Sequence, residues 1–166
     1  MDNYIIIYMD NLYWNVNSTY DKCKFFKNND IVDIDDEYLN NLVFNNNGVI
    51  KMILPLNYYS NKESYEIDLF DNREYTIKDI LNIIYDFYNR ELTDQEYDFI
   101  TELYNRSNNI LTNDYSKVRE EYNKILYNVL ENKNCKRINL LGSRTIFEGI
   151  QQLKDGRYKL LLGYWN

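Results

Sequence analysis

The sequence predicts an α+β fold in which an antiparallel sheet, built from N-terminal strands and a C-terminal hairpin, is packed by three central helices. Two changes of pattern indicate this class. Short β-type runs fill the first 70 residues, helical spacing of apolar residues follows, and β-type residues return after the segment 131–136. We expect residues 1–166 to form a single α+β domain, since a chain of this size can bury about 70% of its unfolded surface.

The N-terminal strands are expected from runs rich in tyrosine, isoleucine, valine and phenylalanine. The last run alternates best, because Tyr65, Ile67 and Leu69 fall on one face and acidic residues on the other, as in a strand with one wet face. In the segment 35–44, apolar residues also follow helical spacing, so a short helix is an alternative there. The five predicted strands are 4–9, 19–26, 30–34, 48–56 and 64–70.

The three helices are expected where apolar residues recur at steps of three and four. Thr76 with Asp79, and Thr93 with Glu96, have the spacing of capping boxes and open the first two helices. The first helix is predicted near 76–90, and the third from about 114 to 130.

The C-terminal hairpin is expected from two β-type segments, 137–150 and 157–165, on either side of an Asp155-Gly156 turn signal. In the first segment neither register is cleanly apolar. A bulge at Gly142 would shift the register and bring Ile138, Leu140 and Phe147 inward.

Composition excludes several kinds of catalytic and metal site. The chain has no histidine, which removes the commonest general base, the Ser-His and Cys-His pairs, and histidine-based zinc sites. Cys23 and Cys135 give neither metal spacing nor a redox motif, and the acidic run 30–37 lacks the residue order of a calcium loop. We therefore expect no catalytic residue, no metal and no cofactor, and a protein that is not an enzyme.

Charge and hydropathy restrict the partners. A net charge of -7 and a pI near 4.7 oppose binding to phosphate backbones. No apolar run approaches the length of about 18 residues that a membrane span needs. The start of the chain has an acidic second residue and no small-residue cleavage site, so a soluble intracellular protein without a membrane partner is expected.

The segment 139–150 looks most like a functional site, since it contains Gly142, Arg144 and Glu148. A phosphate-binding loop needs several glycines and a helix start, whereas Gly142 stands alone before β-type residues. General acid–base work by Glu148 would need a pKa near neutrality and a second group in reach. A carboxylate at a strand end, or in an ion pair with Arg144, is the preferred interpretation, and both residues are kept as candidate interaction residues.

The aromatic residues allow two kinds of partner. Trp14 and Trp165 could stack on bases, as in single-strand and cap-binding proteins, or pack into the core. The 18 tyrosines favour protein partners, because tyrosine offers a large contact area with little loss of rotamer entropy.

Three segments, 75–93, 137–150 and 156–165, resemble a group of uncharacterised proteins of giant DNA viruses of the mimivirus kind. The resemblance covers roughly the C-terminal half, and the group's Pro-Leu-Thr restart stands here as Glu91-Leu92-Thr93, without the proline. It implies a viral origin, in agreement with a composition typical of AT-rich codons, and it implies no activity. The matching positions are Thr76, Asp79, Ile80, Leu81, Ile84, Tyr85, Phe87 and Tyr88, followed by Arg137, Leu140, Gly142, Phe147, Glu148 and Gly149.

The expected function is a non-enzymatic viral protein–protein interaction module in the host cytoplasm, either part of a viral complex or directed at a host factor. The alternative is an RNA- or nucleotide-binding (cap-like) protein of viral gene expression that uses a stacked tryptophan. The acidic charge disfavours this alternative.

Overall fold

The computed structural model describes residues 6–7, 9, 12–27, 30–44, 49–56, 64–69, 74–109 and 117–164. The helices of these ranges are α1 Asp36–Leu39, α2 Ile77–Asn89, α3 Asp94–Asn109 and α4 Lys117–Glu131, with 3-10 helices at Tyr20–Lys22 and Arg137–Leu141. The strands are β1 Ile6–Ile7, β2 Leu12–Tyr13, β3 Lys24–Lys27, β4 Asp30–Asp33, β5 Leu42–Phe44, β6 Ile50–Pro55, β7 Ser64–Leu69, β8 Tyr75–Thr76, β9 Ile146–Gln152 and β10 Tyr158–Gly163.

The predicted α+β class is confirmed by a five-stranded sheet with the order β1-β9-β10-β6-β7. The C-terminal hairpin of β9 and β10 lies between N-terminal strands, since β9 pairs with β1 and β10 with β6. All pairs in this sheet are antiparallel except β10 and β6, which are parallel. A parallel pair needs a long crossover, and the chain between these two strands contains α2, α3 and α4.

Two smaller sheets complete the β-structure of the described ranges: β2-β3-β4 and β5-β8. The segment after β2 joins the three-stranded sheet to the main one. Val16 N–H donates to the carbonyl of Thr145 at 2.9 Å, and Phe147 N–H donates to the carbonyl of Trp14 at 2.9 Å. The N-terminal region is thereby fixed to the start of β9.

Several predicted N-terminal elements are confirmed and one changes its start. The prediction for 30–34 matches β4, and those for 48–56 and 64–70 match β6 and β7. The predicted strand 19–26 instead begins with a 3-10 turn, and extended structure starts only at Lys24. Of the predicted strand 4–9, only Ile6, Ile7 and Met9 lie within the described residues.

The segment 35–44 contains both a short helix and a strand. The Asp35 carboxylate accepts the backbone N–H of Tyr38 at 2.7 Å and so starts α1. The helix ends after four residues, and the chain then extends into β5.

Helix α2 follows the predicted spacing and is buried along one face. Thr76 caps it, because its hydroxyl accepts the N–H of Asp79 at 3.2 Å while the Asp79 carboxylate accepts the N–H of Thr76 at 3.0 Å. The apolar residues at three- and four-residue steps lie in the core between the helix and the sheet; these are Ile77, Ile80, Leu81, Ile84 and Tyr88.

Helices α3 and α4 form an antiparallel pair. Near the start of α3, the Tyr97 hydroxyl donates to the carbonyl of Asn132, just after the end of α4, at 2.9 Å. Near the end of α3, the Ser107 hydroxyl donates to the side-chain oxygen of Asn123, earlier in α4, at 2.5 Å. The predicted start of the third helix, 114–116, lies outside the described residues, and α4 is described from Lys117.

The prediction that 137–150 is one strand was wrong over its first half. Residues 137–141 form a 3-10 helix, and Gly142 then occupies a turn with φ 57° and ψ -124° that is closed by Arg144 N–H on the carbonyl of Leu141 at 3.0 Å. The bulge lies at Glu148 instead of Gly142, because β10 skips this residue when it pairs with Phe147 and Gly149.

The inward positions of that segment were nevertheless predicted correctly, since Ile138, Leu140 and Phe147 are buried. The hairpin turn is also confirmed. Gly156 has φ 86°, and its N–H donates to the carbonyl of Leu153 at 3.0 Å.

The core consists of two apolar clusters. The larger lies between α2, the main sheet and the N-terminal region, and the smaller lies between α3, α4 and the 3-10 helix at 137–141. Tyr65 of β7 packs against both clusters. The main sheet is therefore packed directly by α2, while α3 and α4 are joined to it at this boundary.

Replacing the α2 cap, Thr76→Ala, is expected to lower the free energy of unfolding by about 1 kcal/mol, which corresponds to a fall in Tm of about 2–4 °C. The physical reason is the loss of an acceptor for the Asp79 N–H. Urea denaturation followed by circular dichroism measures the change. Thr76→Ser keeps the hydroxyl and should stay close to the unsubstituted protein; equal loss in both variants would contradict the capping role.

Candidate functional site

Trp14 is buried and cannot stack on a ligand in this structure. Its side chain is 1% exposed, its indole N–H donates to the carbonyl of Ser18 at 2.9 Å, and its ring centre lies 5.9 Å from that of Phe147. The core alternative therefore holds for this residue. Trp165 lies outside the described residues.

Arg144 and Glu148 both lie at the end of β10. The Arg144 Nε donates to the carbonyl of Leu162 at 2.6 Å, and a Cβ at Gly163 would collide with the Glu148 carboxylate. Glu148 is exposed, it lies at the bulge, and its carboxylate lies against Gly163 of β10. The ion pairs between described residues do not include one that joins these two side chains. Arg144 holds the strand end through a backbone carbonyl instead.

Sequence reasoning missed a polar cluster formed by Glu96, Arg137 and Tyr65. Arg137 Nε donates to Glu96 Oε1 at 2.7 Å, and the Tyr65 hydroxyl donates to the same oxygen. Only 14% of the Arg137 side chain and 13% of the Glu96 side chain are exposed. The guanidinium centre also lies 4.4 Å from the ring centre of Phe87. This cluster lies at the boundary of the two apolar clusters.

The electrostatics of this cluster favour one fixed charge state. Burial opposes ionisation of Glu96, but hydrogen bonds from Arg137, Tyr65 and Thr93 outweigh it and lower the pKa of the carboxyl to about 2. Burial and the neighbouring carboxylate raise the pKa of Tyr65 above its ordinary value. A carboxylate that is ionised and engaged by three neighbours serves as a structural acceptor.

The sequence carried a signal for only half of this cluster. The Thr93-x-x-Glu96 box is confirmed, since Thr93 N–H donates to Glu96 Oε2 at 2.8 Å. The partner of Glu96 comes from a residue 41 positions later, which local spacing cannot indicate.

The cysteines are free thiols. Burial raises the pKa of Cys23 to about 12, and it also raises the pKa of the partly buried Cys135. Because the thiolate is the reactive form, both thiols are weak nucleophiles at neutral pH. Within the described ranges, no three acidic or cysteine side chains gather so as to hold a metal ion. In the same ranges, none of the helices has the length and apolar character to span a bilayer.

Exposed apolar side chains gather on the hairpin of β3 and β4. Phe26 is 47% exposed, Ile31 is 56% exposed and Val32 is 38% exposed. Phe26 and Ile31 lie directly opposite each other on one face, whereas Val32 lies opposite Phe25 on the other. We call Phe26, Ile31 and Val32 the β4 edge surface.

Acidic residues border the β4 edge surface. Asp30 and Asp33 occupy the two ends of β4 and are exposed, and Asp35, Asp36 and Glu37 follow it. The Asp33 carboxylate pairs with Lys24 of β3, and this hydrogen bond lowers the pKa of Asp33. The surface therefore combines apolar side chains with ionised carboxylates.

Comparison with known proteins gives one match. Residues 12–157 match the model of a family described as "Family of unknown function (DUF6699)". Neither the curated proteins nor the solved structures include a match.

Replacing Glu96 by glutamine is expected to lower the free energy of unfolding by about 2 kcal/mol, because Arg137 then loses its charged partner in a largely buried position. Chemical denaturation measures the loss. Glu102→Gln is the matched control on the same helix, since Glu102 pairs with Arg106 at an exposed site where an ion pair contributes little. Equal losses in both variants would contradict a special role for Glu96.

The stability of the protein is expected to fall in acid partly through Glu96. Its pKa is about 2 in the folded chain and ordinarily 4.5, so its contribution is complete above pH 4.5 and is lost as the pH falls towards 2. After allowance for solvent screening, this difference amounts to about 1–2 kcal/mol. Urea denaturation of the unsubstituted protein and of Glu96→Gln at a series of pH values tests it. The two stability curves should converge below pH 4.5, and parallel curves would contradict the assignment.

Proposed function

The chain belongs to the family of unknown function DUF6699, and we propose that it acts as a non-enzymatic protein–protein interaction module. The observation that carries this proposal is the β4 edge surface. Phe26 and Ile31 are adjacent on one face and Val32 lies on the other, and all three remain exposed although the same chain buries many other residues of these types in its two clusters.

Burial of this surface against a partner would be favourable. Full burial of an apolar side chain of this size contributes about 1.5–3 kcal/mol, and about half of each of these three side chains is still exposed and can contribute its share. An exposed apolar patch bordered by polar residues is typical of an interaction site, and Phe26 and Ile31 are bordered by the Lys24–Asp33 ion pair on the same face.

The titratable groups support the non-enzymatic part of the proposal. General acid–base catalysis works best with a pKa near the operating pH. The pKa of Glu96 is lowered to about 2 and that of Cys23 is raised to about 12, so both pKa values lie far from neutral pH. Their environments stabilise one protonation state each.

The resemblance of the C-terminal half to proteins of giant DNA viruses supplies the context of the proposal. In that context the partner is a member of a viral complex or a host factor, and the two proteins bind each other in the host cytoplasm. The alternative of RNA or nucleotide binding depends on Trp165 alone, because Trp14 is buried. No observation on the described residues favours that alternative.

The double substitution Phe26→Ser and Ile31→Ser is expected to remove partners that the unsubstituted protein binds. Quantitative affinity capture from infected cells, with each bait at equal concentration, measures the bound proteins. The substituted side chains are exposed, so the variant should retain its fold, which thermal denaturation checks.

Phe99→Ser with Tyr127→Ser is the matched control, since both residues are exposed apolar side chains on α3 and α4. The control bait should retain the partners. A folded unsubstituted bait that captures no specific protein would contradict the proposed function. Capture that survives the Phe26 and Ile31 substitutions would place the interaction elsewhere.

A further inference from the structure

Among the described strands, β4 lies at the edge of its sheet. It is the last strand in the order β2-β3-β4, and within the described ranges its outer side pairs with no strand. All four of its residues are exposed. The unpaired N–H and C=O groups of such an edge can template a further strand.

The side chains of β4 differ from those that usually protect an open edge. Monomeric proteins shield edges with charges, proline or bulges. Strand β4 has an aspartate at each end but two consecutive apolar residues, Ile31 and Val32, at its centre. Ile31 points to the face of Phe26, and Val32 points to the face of Phe25. Apolar surface is thus exposed on both faces of the strand, where a neighbouring strand would cover it.

A second copy of this chain is a poor occupant. Antiparallel pairing of β4 with itself, centred between Ile31 and Val32, would place Asp30 opposite Asp33 twice. Like charges directly opposite each other destabilise a strand pair. Three further acidic residues, Asp35, Asp36 and Glu37, follow the strand, and no lysine or arginine occurs between Lys27 and Lys51. Two copies would therefore repel each other at this edge.

We propose that the open edge of β4 binds one extended segment of a partner protein, which adds to the sheet as a fourth strand and carries two consecutive apolar residues flanked by lysine or arginine. This inference rests on the proposed interaction function. Backbone hydrogen bonds supply affinity in such strand addition, and the side chains supply specificity. The basic residues of the segment face Asp30 and Asp33, and its apolar pair lies beside Ile31 and Val32.

The charge complementarity has a measurable consequence. The carboxylates concerned are solvent-exposed, so their attraction to a basic segment is screened within about 10 Å at 0.1 M salt. Affinity for the segment should weaken as the salt concentration rises. The apolar and backbone contributions should persist.

The test uses the full chain and three fluorescein-labelled peptides that share their flanks and differ only at the core. The first core is Lys-Val-Ile-Lys, the second replaces both lysines by glutamate, and the third replaces isoleucine by proline, which cannot donate a backbone hydrogen bond. Fluorescence anisotropy at low salt gives the affinities. We expect the second and third peptides to bind at least about tenfold more weakly than the first.

Hydrogen exchange locates the binding. The Lys-Val-Ile-Lys peptide should slow exchange of the β4 amides and leave those of α3 and α4 unchanged. Ile31→Lys should abolish binding, and Asp30→Asn with Asp33→Asn should remove most of its salt dependence. Phe99→Lys on α3 is the control variant and should bind like the unsubstituted protein. Equal binding of all three peptides, or protection outside β4, would overturn the inference.

Two further outcomes separate this inference from the proposed function. If affinity capture depends on Phe26 and Ile31 but none of the peptides protects β4, the strand-addition inference fails and the interaction function stands. If capture yields no specific partner, the function itself fails. A dimer in light scattering that is lost in Ile31→Lys would assign the edge to a second copy and overturn the inference.

Discussion

The ion pair between Glu96 and Arg137 joins the two halves of this protein. It lies where the larger apolar cluster of α2 and the main sheet meets the smaller cluster of α3 and α4, and Tyr65 of β7 adds its hydroxyl to the same carboxylate. One charged contact thus connects the start of α3, the 3-10 helix at 137–141 and a strand of the sheet. Removing one partner of a largely buried pair leaves the other charge uncompensated, so the arrangement depends on all its members.

The residues that stabilise the fold and the exposed apolar residues of β3 and β4 lie in different parts of the molecule. The buried residues of α2 and the central strands supply the core, and the polar cluster fixes how the helical pair attaches to it. The β2-β3-β4 sheet lies at the periphery, attached through the segment that follows β2. An edge strand with exposed Ile31 and Val32 is a site where another strand can pair, and the carboxylates of Asp30 and Asp33 would repel those of a second copy there. The same groups define the chemistry of the proposed partner.

Local signals predicted the elements that depend on neighbouring residues. The Thr76 cap and the Asp155-Gly156 turn act within four residues, so the sequence displays all their parts. The prediction of one strand over 137–150 was wrong because tertiary contacts hold the first half of the segment in a 3-10 helix. Among them is the hydrogen bond from Arg137 N–H to the carbonyl of Arg90 at 3.0 Å. The candidate site residues were likewise predicted only in part. Trp14 is buried, whereas Arg144 and Glu148 lie together at the end of β10.

The sequence by itself determined the fold class, the caps and turns, and the exclusion of histidine chemistry, because these follow from residue type and short-range spacing. Only the tertiary structure decided that Glu96 meets Arg137, that β10 pairs in parallel with β6, and that β4 is left at an edge. These three depend on which segments distant in sequence come together. Each of these residues and strands has many possible partners of similar character elsewhere in the chain, and no local pattern selects one pairing among them.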